Sequence, residues 1–304
     1  MTRCTRRRFL SQTGRYAAAA LIANGLPQAI RATPLGKPVG IQLYTVKEEI
    51  GRDPAGTLRQ LRRIGFGEVE TAGFGQLSAG QFRRLLDEAG LACPSAHLQL
   101  DMRNLDSAFA DAHALGAKYA ASGSLRSLAA VAQAPAGGPQ AGMSADEAKR
   151  TAELANRIGE QAARAGLQYV YHNHDFEFVA QGGAGFGYDL LLRETDPRLV
   201  QFEIDCGWMI FAGRDPVDYF GKYPNRFPMI HVKDFVRDSE PAGAKLGAMH
   251  GAELGRGVVD YGPIFAAAEK AGLRHYFFEE EGPFTHLGPM QAAQVAYDYL
   301  RAIR

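Results

Sequence analysis

Acidic residues and histidines recur at the ends of four short apolar segments in the second half of the chain. These ends read His172-Asn173-His174, Glu203-Ile204-Asp205, His231-Val232-Lys233 and Glu279-Glu280-Glu281. If each segment is a β-strand, alternate side chains share a face, so the polar residues of each segment point the same way. Carboxylates and imidazoles converging from neighbouring strands suit one divalent cation, such as Mn²⁺, Co²⁺, Fe²⁺, Zn²⁺ or Mg²⁺. The pattern therefore predicts a metal centre where these strands end.

Short apolar runs alternate with amphipathic stretches through the rest of the chain. The runs predict strands at Val39–Tyr44, Glu68–Thr71, Cys93–Leu98, Lys118–Ser122, Tyr169–Asn173, Val200–Asp205, Met229–Lys233 and Tyr276–Glu280. The stretches predict helices such as Pro54–Ile64, Ser78–Ala89, Leu105–Leu115, Ala145–Ala165, Asp215–Lys222 and Tyr261–Ala271. This alternation favours an α/β fold, a (β/α)₈ TIM barrel, over a doubly wound sheet, since no GxGxxG follows the first strand. Two long connections, Ala132–Met143 and Val236–Val258, follow strands and are expected at the barrel's catalytic face.

The first 32 residues are predicted to be an export signal, and residues 33–304 a single barrel domain. Thr5-Arg6-Arg7-Arg8-Phe9-Leu10 is a twin-arginine pattern, and the apolar run after it is too short to span a bilayer. We therefore expect the twin-arginine export machinery to carry the protein to the periplasm; a basic, disordered tail on a cytosolic protein is the alternative. The 34 basic and 33 acidic residues give no charge argument for nucleic acid. No other segment is apolar enough to span a membrane, and a homo-oligomer is left open.

Taken in order, the motifs resemble the sugar phosphate isomerase/epimerase family, whose members share a xylose-isomerase-like barrel. The resemblance covers essentially all of residues 33–304. It rests on Gly40-Ile41-Gln42-Leu43-Tyr44, Tyr171-His172-Asn173-His174, Asp205-Cys206-Gly207-Trp208, His231-Val232-Lys233-Asp234, Gly255-Arg256-Gly257-Val258-Val259-Asp260 and Phe278-Glu279-Glu280-Glu281. It implies a barrel enzyme that uses one divalent metal ion to isomerise or epimerise a sugar.

By the family pattern, Asp205, His231 and Glu279 are expected metal ligands. Many members carry a glutamate at the end of the fifth strand, where this sequence has His172. The His-Asn-His subgroup and, in this strand, the inosose dehydratases share that departure. We therefore predict His172 as the fourth ligand, with His174 as the alternative, and the usual pair of opposed carboxylate bases is in doubt.

The expected chemistry is removal of the proton next to a sugar carbonyl, giving an enediolate whose charge the metal stabilises. Glu279 and His174 are the predicted bases, assisted by Glu177 or Glu281, although Glu177 could equally be a solvated loop residue. The resemblance implies substrate contacts from Lys233 and Trp208, and Lys233 alternatively pairs with a neighbouring carboxylate. The residues predicted to bind the substrate are Trp208, Lys233, Tyr44, His97 and Glu281.

The acidic loop Glu280-Glu281-Gly282-Pro283 stands where barrels often bind phosphate, so a non-phosphorylated keto-sugar is the expected substrate. Loss of a β-hydroxyl or glycosidic oxygen from the same intermediate would make the protein a dehydratase or lyase. A periplasmic protein that only binds sugar would not need Asp205, His231 and Glu279 together. A metal-dependent endonuclease of similar fold would need a basic groove and several metals, and the balanced charge argues against it.

Overall fold

The chain folds around a closed barrel of parallel strands, here seen in a computed structural model that describes residues 33–123, 125, 142–180, 185–237, 249–282, 284 and 286–303. The predicted export signal and most of the predicted loop Ala132–Met143 lie outside these residues. The barrel strands are β1 Gly40–Gln42, β2 Glu68–Ala72, β3 Ala92–His97, β4 Tyr119–Ser122, β5 Gln168–His172, β6 Val200–Asp205, β7 Met229–Val232 and β10 His275–Phe278. Each pairs with its neighbours in chain order, and β1 closes against β10. The predicted TIM barrel is confirmed, with strand ends that agree to within two residues and with Val200–Asp205 predicted at both ends.

Helices join successive strands and cover the outside of the barrel. They are α1 Lys47–Arg52, α2 Pro54–Ile64, α3 Ala79–Ala89, α4 Leu105–Leu115, α5 Ala145–Arg164, α6 Gly187–Glu194, α7 Cys206–Phe211, α8 Pro216–Lys222, α9 Tyr261–Lys270 and α10 Pro289–Ala302. Their starts are set locally: the Ser78 side chain accepts a hydrogen bond from the Gln81 N–H, and Asp260 accepts one from Gly262. No helix among the described residues is long and apolar enough to cross a membrane.

The two faces of each barrel strand carry different side chains. Outward residues such as Ile204, Val232 and Phe278 are fully or almost fully buried against the helices. Inward residues form an apolar plug in the barrel, made of Tyr119, Ala121, Val170, Met229 and Phe277. Polar groups lie at the inward positions nearer the carboxyl ends of the strands, so the plug is the floor beneath the barrel mouth.

The region predicted as one long connection after β7 contains a hairpin that the sequence did not indicate. Strands β8 Asp234–Arg237 and β9 Met249–Ala252 pair antiparallel. The Asp234 carboxylate closes the hairpin, accepting hydrogen bonds from the N–H groups of Phe235, Gly255, Gly257 and Val259 at 2.9–3.1 Å. This buried acceptor fixes the backbone directly after Lys233.

Candidate metal and substrate site

Four polar side chains from the last four barrel strands converge at the mouth. His172, Asp205, His231 and Glu279 each offer one ligand atom, and these atoms all lie within 4.8 Å of one another. Asp205 and His231 are direct partners in the β6–β7 register, which brings their side chains side by side. All four side chains are buried. The structure thus brings together the four residues predicted as metal ligands.

The two carboxylate oxygens of Asp205 have different surroundings. Its Oδ1 atom accepts a hydrogen bond from the backbone N–H of Trp208 at 2.8 Å and so caps α7. Its Oδ2 atom is buried and makes no hydrogen bond to the described residues, although the Lys233 Nζ atom lies 3.0 Å away. The Asn173 side chain accepts a hydrogen bond from the Asp205 N–H at 3.1 Å and ties the end of β5 to β6. An oriented carboxylate oxygen left without a hydrogen bond is what a metal ligand requires.

The mouth carries an excess of negative charge. His231 Nδ1 lies 3.1 Å from Glu279 Oε2, and its Nε2 lies 2.8 Å from Glu70 Oε2 and 3.2 Å from Glu203 Oε2. Burial lowers the pKa of His231, but attraction to Glu203 and Glu279 outweighs it and raises the pKa well above its usual value. Such a field favours a cation, and a divalent ion would release the imidazole proton on binding.

Lys233, Trp208 and Glu281 form a second group directly beside the four predicted ligands. The Lys233 ammonium contacts Glu281 Oε1, lies 2.9 Å from Glu279 Oε2, and stands 5.0 Å from the centre of the Trp208 ring. Trp208 Nε1 donates a hydrogen bond to Glu281 Oε1 at 3.0 Å. Burial lowers the pKa of Lys233, but the carboxylates of Asp205, Glu279 and Glu281 raise it well above its usual value. Lys233 is therefore a fixed positive hydrogen-bond donor rather than a base.

His174 lies beside this group, between the metal-ligand set and Trp208. Its ring centre is 5.1 Å from that of His172 and 6.4 Å from that of Trp208. The Nδ1 atom is buried and has no hydrogen-bond partner in the part of the chain that the structure describes. Burial lowers the pKa of His174 well below its usual value, and the nearby His172 and Lys233 charges lower it further. His174 is thus a neutral imidazole with a free nitrogen beside the mouth.

Glu177, predicted as an assisting base, does not join the mouth. Its Oε1 atom accepts a hydrogen bond from the Tyr171 hydroxyl at 2.8 Å, and its Oε2 atom accepts one from the His174 backbone N–H at 2.9 Å. Tyr171 lies at an outward strand position and packs against Phe202. Burial raises the pKa of Glu177 to about 8 despite these hydrogen bonds. Glu177 therefore fixes the turn that carries His174, and its carboxylate has no free oxygen for the predicted proton transfer.

Two further predicted substrate contacts lie at different depths. Tyr44 is 39% exposed and stacks under the Lys47 ammonium at the rim, where it lines a cavity of about 460 Å³ with Glu281 and Phe284. His97 lies inside the barrel instead, with Nε2 2.9 Å from Glu203 Oε2 and 3.2 Å from Glu70 Oε2. Burial lowers the pKa of His97, but Glu70 and Glu203 raise it to about 10. Of the two, the structure leaves Tyr44 open to a ligand and holds His97 in a carboxylate cluster.

The sequence interpretation assigned no role to the residues beneath the ligand set. Glu70 and Glu203 are fully buried there, and Glu70 also accepts hydrogen bonds from the side chains of Gln42 and Ser95. The available signal was their position: charged residues at inward positions of buried strands, where an unpaired carboxylate is costly. Glu68, two residues before Glu70, instead lies 2.8 Å from His275 Nδ1 near the strand starts.

Comparisons with known proteins agree with this architecture. The family model described as "Xylose isomerase-like TIM barrel" matches residues 58–303. A sugar phosphate isomerase/epimerase structure from Parabacteroides distasonis is similar with a TM-score of 0.68 at 24% identity, covering 88% of this chain and 96% of that one. A probable 3-DHS dehydratase from Bacillus anthracis has a TM-score of 0.62 at 14% identity, covering 88% of this chain and all of that chain.

One curated relative extends the comparison in sequence. An inosose dehydratase from Geobacillus thermodenitrificans is 30% identical over 151 residues, which is 45% of this chain. The aligned part is 48% of the relative, so the chain spans about half the length of the curated relative it matches.

Proposed function

The chain belongs to the xylose isomerase-like TIM barrel family, and from that premise we propose that it is a divalent-metal-dependent enzyme that dehydrates a non-phosphorylated keto-sugar or a related cyclic polyol ketone. The observation that carries the proposal is the convergence of His172, Asp205, His231 and Glu279 on one point. The Asp205 Oδ2 atom supports it, because this buried carboxylate oxygen makes no hydrogen bond to the described residues and has the Lys233 ammonium 3.0 Å away as an ion-pair partner.

A divalent cation held by these four residues would polarise the substrate carbonyl and stabilise the enolate charge. The reaction breaks the C–H bond next to the carbonyl and the C–O bond one carbon further on. A carbon–carbon double bond forms, and the hydroxyl leaves as water after it accepts a proton. The site therefore needs one proton acceptor and one proton donor in addition to its ligands.

His174 and Lys233 meet these two needs. The neutral His174 imidazole would accept the proton, since its Nδ1 atom makes no hydrogen bond to the described residues and its lowered pKa keeps it unprotonated near neutral pH. The Lys233 ammonium donates to the departing hydroxyl and regains a proton from solvent. Both groups lie against Trp208, whose ring offers a flat face for the carbons of a sugar.

Elimination is favoured over epimerisation by the number of bases. Epimerisation needs bases on both faces of the substrate, and the fifth strand has His172 where a carboxylate base would stand. The relatedness to an inosose dehydratase supports the same choice. The sequence predicted isomerisation or epimerisation instead. Both reactions begin with the same proton transfer as the elimination, but the proton then returns to a carbon atom of the substrate.

Two features support a non-phosphorylated substrate. Glu279 and Glu281 border the place where Lys233 and Trp208 would meet the substrate, and their charge opposes a phosphate group. The predicted export signal over residues 1–32 would place the enzyme in the periplasm with free or glycosidic sugars. We propose that localisation as well.

The test is proton exchange and product formation in D₂O. Protein reloaded with Mn²⁺ or Co²⁺ should place deuterium next to the carbonyl of a keto-sugar or an inosose, and should generate the absorbance of an unsaturated ketone. Asp205→Asn removes one charged ligand and should lower both rates at least about a hundredfold. Nuclear magnetic resonance measures the exchange, and ultraviolet absorbance measures the elimination.

Glu68→Gln is the matched control, because it removes a buried carboxylate near the opposite end of the barrel. It should keep both activities. Exchange without elimination, followed by a new sugar isomer, would assign the protein to isomerases. Equal exchange by the wild type and Asp205→Asn would remove the proposal, and sugar binding without exchange would leave a binding protein.

A further inference from the structure

The two histidines of the ligand set each face a buried carboxylate with the ring nitrogen that points down the barrel. His231 Nδ1 lies 3.1 Å from Glu279, while its Nε2 lies 2.8 Å from Glu70 Oε2. His172 Nδ1 lies 3.2 Å from Glu203 Oε2 in an ion-pair contact without hydrogen-bond geometry, and the same carboxylate oxygen lies 2.9 Å from His97 Nε2. Each imidazole thus has one nitrogen for the mouth and the other for the layer below.

We propose that Glu70 and Glu203 are positioning residues that set the tautomers of His231 and His172. Glu70 accepts the Nε2–H of His231, and the charge of Glu203 attracts the Nδ1–H of His172, so the opposite nitrogen of each ring would carry its lone pair toward the metal site. A carboxylate behind a ligating histidine also raises its basicity and holds the ring plane. The inference rests on the proposed function, because it concerns how the same site binds its metal.

Glu70 is itself held in place by neutral donors. Gln42 Nε2 donates a hydrogen bond to Oε2 at 2.8 Å, and Ser95 Oγ donates one to Oε1 at 2.5 Å. Gln42 is fixed in turn, because its Oε1 atom accepts a hydrogen bond from the Tyr44 N–H at 3.1 Å. The donors on β1 and β3 therefore orient the Glu70 carboxylate so that its remaining contacts are with the histidines.

A second metal ion in the lower layer is the competing interpretation. His97, His172, Glu203 and His231 also place one ligand atom each within 4.8 Å of one another. This set shares His172 and His231 with the upper one, so two ions at once would require both imidazoles to bridge them. A bridging imidazole must lose both ring protons, which is unfavourable near neutral pH. One ion above a hydrogen-bonded layer avoids that cost.

The test is a titration of Co²⁺ into the metal-free full-length protein, followed by calorimetry and by the visible absorption of the bound ion. The wild type should bind one ion. Glu70→Gln and Glu203→Gln should each raise the Kd for Co²⁺ about 10–100-fold and change the absorption bands, because a ligating imidazole is no longer held. Glu68→Gln, from the same strand as Glu70, should match the wild type in both readouts.

The outcomes separate this proposal from the proposed function. Two ions per wild-type chain, with one lost in Glu203→Gln, would overturn it in favour of a second metal site. An unchanged Kd and spectrum in both variants would overturn it while leaving a metal-dependent enzyme intact. If the wild type binds no Co²⁺, both this proposal and the proposed metal-dependent function are wrong. The two variants are independent, so the test stays decisive should one of them fail to fold.

Discussion

His174 is the side chain whose protonation state bears most directly on the proposed chemistry. Burial and the neighbouring His172 and Lys233 lower its pKa, so the imidazole stays neutral below its usual titration range. The base is active when neutral, and protonation at low pH stops it. The kcat/KM of the wild type should therefore stay level as the pH falls from 8 to about 6.5, and decline only at lower pH. A bound cation would lower the same pKa and move the profile in the same direction.

His174→Asn tests that role directly. It should lower kcat/KM by about 10²–10⁴-fold, the usual contribution of one general base, and leave Co²⁺ binding in place. His113→Asn is the matched control: His113 is an exposed residue of α4 whose ring contacts the Ala165 carbonyl oxygen. Loss of metal together with activity would show that His174 is a ligand and not a base.

At individual positions, the alternation of side chains along the strands was enough to predict which residues form the proposed metal site. It placed His172, Asp205, His231 and Glu279 on one side before any contact was known, because inward positions repeat every second residue. It could not foresee that Glu177 turns outward, since the hydroxyl it meets on Tyr171 and the turn between them depend on tertiary packing. Nor could it show that Glu70 on β2 and His231 on β7 meet across the barrel.

The hairpin β8–β9 depends on one close approach of the backbone. A Cβ atom added at Gly257 would lie 2.1 Å from Asp234 Oδ1 and 2.3 Å from the Phe235 carbonyl oxygen. Gly257→Ala should therefore displace the segment after Lys233 and destabilise the fold by about 1–3 kcal/mol, the usual cost of overpacking. Calorimetry should show the lower Tm, and kcat should fall because Lys233 shifts.

Gly251→Ala is the matched control within the same hairpin. Gly251 lies in β9, and an added Cβ atom would meet no described residue within 4 Å. Its Tm and kcat should equal those of the wild type. If both variants behave alike, the steric account of Gly257 is wrong.

Among the elements, the regular barrel strands were predictable and the hairpin was not. Apolar runs and the glycines after α3 and α4, which adopt positive φ, set the strand and helix limits locally. The hairpin region lacks a strong alternating pattern, and it is held by the Asp234 carboxylate meeting four backbone N–H groups. Helix α7 was likewise missed, because its cap Asp205 was interpreted only as a ligand.

Considered as a whole molecule, the protein combines a barrel with a proposed metal site and a predicted signal for export in the folded state. Such a route suits an enzyme that takes up its metal before it leaves the cytoplasm, and the ligands buried in the barrel mouth need a folded chain to assemble. Replacing Arg6 and Arg7 by lysine keeps the charge but removes the arginine pair. The double variant should stay in the cytoplasm with the activity of the wild type, whereas Arg8→Lys should still be exported. Immunoblots of periplasmic and cytoplasmic fractions measure the distribution, and equal periplasmic amounts of all three proteins would show that the arginines do not direct export.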